Sequence, residues 1–220
     1  MDSTNPIILL VALMGLSIAP LIAIMATAFL KISVVIFLIR NALGIQQIPP
    51  NMAINGLAVI LSIYIMAPVG METYKILSTQ TANFEKLQDP EALAELATSL
   101  DPMQSFLMRH SDKVQRDFFV RTTHKLWPEE YARDVTDTNL LILLPAFTLT
   151  ELTEAFEVGF LLFLPFIAID LIISNILLAM GMMMVSPMTI SLPFKLLLFV
   201  LVDGWTRLIH GLVLTYSITA

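Results

Sequence analysis

The amino-acid sequence predicts an all-α, helical membrane protein whose hydrophobic helices are broken by proline into helical hairpins, with a small helical insert outside the bilayer. Of its 220 residues, 57% are hydrophobic and 14% are charged, and the mean hydropathy is +0.81. Soluble domains contain about 45–50% apolar and about 25% charged residues. The composition therefore argues against a soluble enzyme, and the order of apolar and charged stretches gives the organisation below.

The first part, residues 1–71, contains two apolar segments. As one helix, residues 7–39 would extend about 50 Å at about 1.5 Å per residue. This length exceeds the ~30 Å hydrocarbon core of a bilayer, so the helix projects from the membrane or breaks, and Pro20 is the expected break. The second segment covers residues 52–71. The N-terminus has no basic residue of the kind that begins a cleaved signal peptide, so we expect a retained anchor.

The second part, residues 72–139, is a water-exposed insert. It contains 12 of the 18 acidic and 8 of the 12 basic residues. Asp89-Pro90 and Asp101-Pro102 are typical helix starts, because each combines an N-cap residue with a proline in the first turn. The predicted buried stripe consists of Leu107, Val114, Phe118 and Phe119.

The third part, residues 140–220, is hydrophobic again. Residues 140–149 are too few to span a bilayer, and longer apolar segments follow on both sides of a methionine-rich loop at residues 180–188. Between them, Glu151, Glu154 and Glu157 form one acidic helix face. The short connectors near Arg40 and Lys195 favour the cytoplasmic side, which places the insert in the periplasm of a Gram-negative cell.

Asp170 and Lys195 are ionisable residues within apolar sequence. Such groups are costly in lipid and usually face protein or water. Because they have opposite charge and flank the same loop, an ion pair between them is plausible, and it would set the register of neighbouring segments or subunits. The alternative is that Lys195 reaches a membrane interface while Asp170 lines a wet crevice.

Five of the 13 methionines lie between positions 180 and 188. Met182, Met183 and Met184 cannot all face one way on a helix, but in a loop they can project together as a deformable apolar plug. Ordinary membrane packing is the alternative, and composition alone favours it.

Several functions are disfavoured. The net charge of −6 gives no general basic surface for nucleic acid, and the chain has no cysteine and no Gly-rich phosphate loop. His110, His124 and His210 lack the spacing of metal ligands. We therefore expect no enzyme activity, no cofactor and no metal. A secondary transporter or proton channel that uses Asp170 is the competing function, although we find no inverted repeat.

Three stretches closely resemble the FliP/SctR family of type III secretion export-gate proteins: Arg40–Asn51, Leu143–Phe156 and Leu164–Trp205. The resemblance covers nearly the whole chain and weakens in the insert. It is closer to the injectisome branch than to the flagellar branch.

This resemblance implies a core subunit of a helically arranged export gate that lies in the bacterial inner membrane and extends into the periplasm. It implies about five copies of the chain together with a small two-helix SctS/FliQ-like subunit and a larger SctT/FliR-like homologue. Unfolded secreted proteins would pass through the central channel. In the family a methionine loop closes the channel and matches Met182, Met183 and Met184, while an ion pair between adjacent subunits falls on Asp170 and Lys195.

Overall fold

The computed structural model describes residues 6–45, 47–80 and 98–217, which form helices and connecting turns without any strand. This confirms the all-α fold class. Within these residues the helices are α1 (Pro6–Met25), α2 (Phe29–Ala42), α3 (Asn51–Gln80), α4 (Asp101–Arg109), α5 (Lys113–Leu126), α6 (Glu129–Ala132), α7 (Leu140–Ala179), α8 (Pro187–Leu201) and α9 (Gly204–Leu214).

Two helices of the described part are long and apolar enough to cross a membrane, Asn51–Thr79 and Leu140–Ala179. The bent pairs α1/α2 and α8/α9 raise the number to as many as four if each pair is one span. The expected short segment 140–149 is not separate, because it forms the first quarter of α7. At about 1.5 Å per residue this 40-residue helix is about 60 Å long.

The helix breaks do not fall at the prolines that suggested them. Pro20 lies inside α1, and the chain leaves the helix at residues 26–28 instead. The Thr27 side chain donates to the Ala23 carbonyl at 2.7 Å and accepts from the Phe29 amide at 3.4 Å. A hydroxyl that competes in this way for backbone groups favours the end of a helix. The other prolines within described helices are Pro6, Pro68, Pro102, Pro145, Pro165, Pro187 and Pro193.

The second break, between α8 and α9, has a backbone cause. Asp203 adopts a left-handed conformation with φ of 52°, which L-residues rarely do. A side chain on the following Gly204 would collide with the Phe199 ring. Glycine is therefore required where this bend of 60° brings the start of α9 onto α8.

The chain divides into two compact units that alternate along the sequence. Unit 1 comprises Met1–Leu30 and Pro68–Thr150, and unit 2 comprises Lys31–Ala67 and Glu151–Ala220. The core of unit 2 is built on α2, whose buried apolar side chains recur at helical spacing. They are Ile32, Val35, Ile36 and Ile39.

Unit 1 contains the described part of the charged insert. Its core includes Phe106 and Phe147, whose ring centroids are 5.7 Å apart. The Asp112 amide donates to the buried Thr150 hydroxyl at 3.0 Å, which attaches the start of α5 to α7.

The helix predicted to begin at Asp101 is present, but its N-cap residue is Leu100 and not Asp101, and no side chain caps it. The helix predicted at Asp89-Pro90 lies outside the described residues. The predicted stripe is mostly wrong, since Leu107 is buried but Val114 and Phe118 are exposed and Phe119 is half-buried. The stripe assumed one continuous helix, and the turn between α4 and α5 changes which faces are covered.

Candidate functional site

Asp170 and Lys195 form an ion pair within one chain. Lys195 Nζ lies 2.6 Å from Asp170 Oδ2, and the lysine is buried while the Asp170 side chain is 39% exposed. The pair thus joins two neighbouring segments, α7 and α8, of the same chain.

Two further hydrogen bonds hold this pair in place. The fully buried Ser191 donates its hydroxyl to Asp170 Oδ1 at 2.6 Å, and Lys195 donates to the Ala42 carbonyl at 3.2 Å. Both carboxylate oxygens of Asp170 therefore have a partner, and the buried ammonium of Lys195 has two acceptors. The second bond also joins α8 to the end of α2.

The methionine-rich segment is a loop, as expected. Gly181, with φ of +73°, ends α7. The Met182 amide donates to the Leu177 carbonyl at 2.9 Å, and the Gly181 amide donates to the Leu178 carbonyl at 3.0 Å. This pair of hydrogen bonds is a Schellman motif, for which glycine is the preferred residue. The loop then ends at Pro187, in the first turn of α8.

The methionine side chains on this loop are exposed to an increasing degree. Met182 is 41%, Met183 is 81% and Met184 is 102% exposed. Flexible apolar side chains without a covering surface indicate a place of contact with something outside the chain.

A second buried charge cluster, which the sequence analysis did not identify as a site, lies in unit 2. Lys31 Nζ is 2.9 Å from Glu151 Oε1 and 2.6 Å from Glu154 Oε2. The Tyr216 hydroxyl donates to Glu151 Oε2, and the ammonium of Lys31 lies 4.5 Å from the centre of the Tyr216 ring. The cluster joins α2, α7 and the residues that follow α9.

Tyr216 stays protonated in this cluster. Its burial and the adjacent Glu151 carboxylate raise the pKa of the phenol above the ordinary 10.0, so the hydroxyl remains a donor. The sequence held two signals for the cluster, a lysine inside apolar sequence and glutamates at steps of three. It held none for Tyr216, because a partner 65 residues away depends on the tertiary fold.

No group of three or more His, Asp or Glu side chains with metal-binding geometry occurs in the described part of the chain. Of the histidines, His110 contacts the Phe106 carbonyl through Nδ1 at 3.0 Å.

Two helices long and apolar enough to cross a membrane, together with ion pairs within the chain at Lys31 and Lys195, are typical of a helical membrane protein. Comparison with known proteins gives its family. The chain matches the FliP family over residues 12–212.

Three relatives cover almost the whole chain. Yop proteins translocation protein R of Yersinia pestis is 58% identical over 209 residues, which is 95% of each protein. Virulence protein YscR of Salmonella typhimurium is 48% identical over 217 residues, 97% of this chain and 98% of the relative. Hypersensitivity response secretion protein HrcR of Ralstonia nicotianae is 47% identical over 208 residues, 94% and 96% respectively.

The chain belongs to the FliP family, on its injectisome (SctR) side, and the resemblance seen in the sequence is confirmed. It is a component of a type III secretion export apparatus. The family is one of structural export components and is not known as an enzyme family.

Proposed function

We propose that this chain is a channel-forming subunit of the type III export gate, and that Met182, Met183 and Met184 form a gasket that closes the channel around unfolded substrates. The observation that carries the proposal is the loop itself. Its thioethers are exposed at the end of a 40-residue apolar helix and are held there by a Schellman turn.

Thioethers suit a seal for an unfolded polypeptide. A translocating chain presents every kind of side chain, so a rigid constriction would select or jam. Unbranched methionine side chains can part around a segment and close again, and an apolar constriction excludes water and ions. The exposure of Met184 leaves its whole side chain available for this contact.

Assembly follows from the exposed helices. Most of α3 and most of the second half of α7, residues 160–179, is exposed in the single chain, and α7 is about twice as long as the hydrocarbon core of a bilayer is thick. We infer that neighbouring subunits cover the surplus: about five copies of the chain, a small two-helix SctS/FliQ-like subunit and a larger SctT/FliR-like subunit. The complex would lie in the bacterial inner membrane, with the insert 72–139 on the periplasmic side.

The Asp170–Lys195 pair has a place in this assembly. Because Asp170 stays 39% exposed while it binds Lys195, a neighbouring copy can approach the same carboxylate. The inter-subunit bridge thus remains a prediction, supported by an acid that is already ordered at the flank of the loop.

The test replaces Met182, Met183 and Met184 with alanine in bacteria that carry the complete export apparatus. We expect increased ion leakage through the inner membrane and reduced secretion. The matched control changes three exposed methionines elsewhere, Met14, Met52 and Met71, to alanine. Leakage and secretion that both equal those of the wild type would contradict the gasket.

The competing transporter has a weaker basis. As a proton carrier, Asp170 would have to give up its ion pair with Lys195, whose ammonium lies 2.6 Å from Oδ2. Proton movement by the purified chain alone in liposomes would favour that function over the export gate.

A further inference from the structure

An apolar cavity opens within unit 2 between α2, α7, α8 and α9. Its volume is about 560 Å³, within the range of about 300–1,000 Å³ that is usual for small-ligand sites. The lining includes Ile39, Leu162, Phe166, Phe199, Leu208 and Leu212.

Gly211 keeps one wall of this cavity open. A side chain added at Gly211 would meet no atom within 4 Å. The space beside α9 is therefore large enough for further methylene groups, which no residue of unit 2 supplies.

Arg207 brings a positive charge to the lining. Its side chain is exposed, and no hydrogen bond or ion pair of the guanidinium occurs among the described contacts. Asp203 lies one turn earlier, but no ion pair joins the two side chains in the described part of the chain. An unpaired cation in a membrane protein is costly unless an anion or water reaches it.

We propose that this cavity binds a phospholipid with an anionic headgroup, whose acyl chain fills the apolar space and whose phosphate pairs with Arg207. The argument depends on the membrane location of the chain and not on the methionine gasket. An unfilled apolar cavity forfeits contacts along its walls, and lipid chains are the abundant apolar material around a membrane protein.

A lipid fits the cavity better than a partner helix does. A docked helix brings no obligatory anion to Arg207. A lipid supplies both a narrow apolar chain and a phosphate, and basic residues between membrane helices are known to bind anionic headgroups.

The test uses the full-length chain in vesicles of phosphatidylethanolamine and phosphatidylglycerol, with a trace of phosphatidylglycerol that carries a photoreactive group on its acyl chain. Mass spectrometry locates the label. We expect it on residues that line the cavity, such as Leu208 and Leu212. Gly211→Leu, which fills the cavity, should reduce it to background. Gly56→Leu is the matched control, because a side chain at Gly56 also meets no atom within 4 Å.

The headgroup is tested separately with Arg207→Gln. We expect the preference for the phosphatidylglycerol probe over its phosphatidylethanolamine counterpart to fall about fivefold, while Arg207→Lys retains most of it. Equal labelling of Gly211→Leu and the wild type would overturn the proposal. So would an unchanged headgroup preference in Arg207→Gln, or a cross-link from Gly211→Cys to another protein chain in place of lipid.

Discussion

Lys31 and Glu151 form a 2.9 Å ion pair although their side chains are only 2% and 0% exposed. Removing two charges from water costs several kcal/mol each, and good geometry with additional polar partners is needed to offset this cost. Here Glu154 and Tyr216 supply those partners. The pair therefore acts as a fixed connection between α2 and α7.

Breaking this connection should be severe. Lys31→Met leaves the Glu151 carboxylate buried without its cation, which costs about 3–5 kcal/mol of unfolding free energy. A large fall in the midpoint of thermal unfolding in detergent is the expected result. Arg133→Met serves as the control, because Arg133 and Glu129 form an exposed pair at 3.5 Å and exposed pairs contribute about 0–1 kcal/mol. Equal midpoints for the two variants would refute a stabilising role for Lys31.

The Asp170–Lys195 pair should depend on charge complementarity. Lys195→Met strands the carboxylate of Asp170, so we expect weaker assembly and lower secretion. The exchange Asp170→Lys with Lys195→Asp restores opposite charges and should recover part of the assembly and part of the secretion. The recovery should be incomplete, because the Ser191 hydroxyl is placed to donate to an acid and the Ala42 carbonyl is placed to accept from a lysine. Native gels and secretion assays measure the two effects. A double variant no better than the single one would show that bonding geometry matters more than charge.

Gly159 provides a test of packing in unit 2. A side chain on Gly159 of α7 would collide with the end of Leu38 and lie 3.3 Å from its Cβ. Gly159→Ala should therefore destabilise the protein by about 1–3 kcal/mol, as overpacking does, and Leu38→Ala should relieve much of that loss. Gly56→Ala is the control without a neighbour. The midpoint of thermal unfolding is measured for the wild type, for Gly159→Ala with and without Leu38→Ala, and for Gly56→Ala. An unchanged midpoint for Gly159→Ala would mean that α2 and α7 can move apart without loss of stability.

The start of α5 offers a test in the insert. The Asp112 side chain accepts from the Val114 amide at 3.0 Å and caps the helix. Asp112→Ala should cost about 0.5–2 kcal/mol and accelerate hydrogen exchange in the first turn of α5. Asp134→Ala, at an exposed turn position, should leave that exchange unchanged. Mass spectrometry measures the hydrogen exchange. Equal exchange rates for the first turn of α5 in the two variants would contradict the capping role.

The elements that the sequence predicted correctly depend on local chemistry. The helix start at Asp101 and the loop at residues 180–188 both contain residues with strong backbone preferences, proline and glycine. Asp170 and Lys195 pair within the chain, whereas the pair between subunits that the family resemblance implies stays a prediction.

The features that were missed depend on distant neighbours. Pro20 was expected to break a helix, but α1 tolerates the loss of one backbone hydrogen bond at this proline. The helix ends near Thr27 instead, because the Thr27 hydroxyl offers backbone groups an alternative hydrogen-bond partner. The buried cluster of Lys31 and Glu151 includes Tyr216. No sequence periodicity relates residues that are so far apart in the chain. The cavity beside Gly211 likewise depends on how four helices meet.

The length of α7 has a consequence for the cell. A 40-residue helix whose second half is mostly exposed is longer than the hydrocarbon core of a bilayer, so a solitary copy keeps apolar surface in contact with water. Such a polypeptide is a target for chaperones and proteases until companions arrive. Balanced synthesis with those companions would then decide how much of it survives, and surplus copies would be degraded.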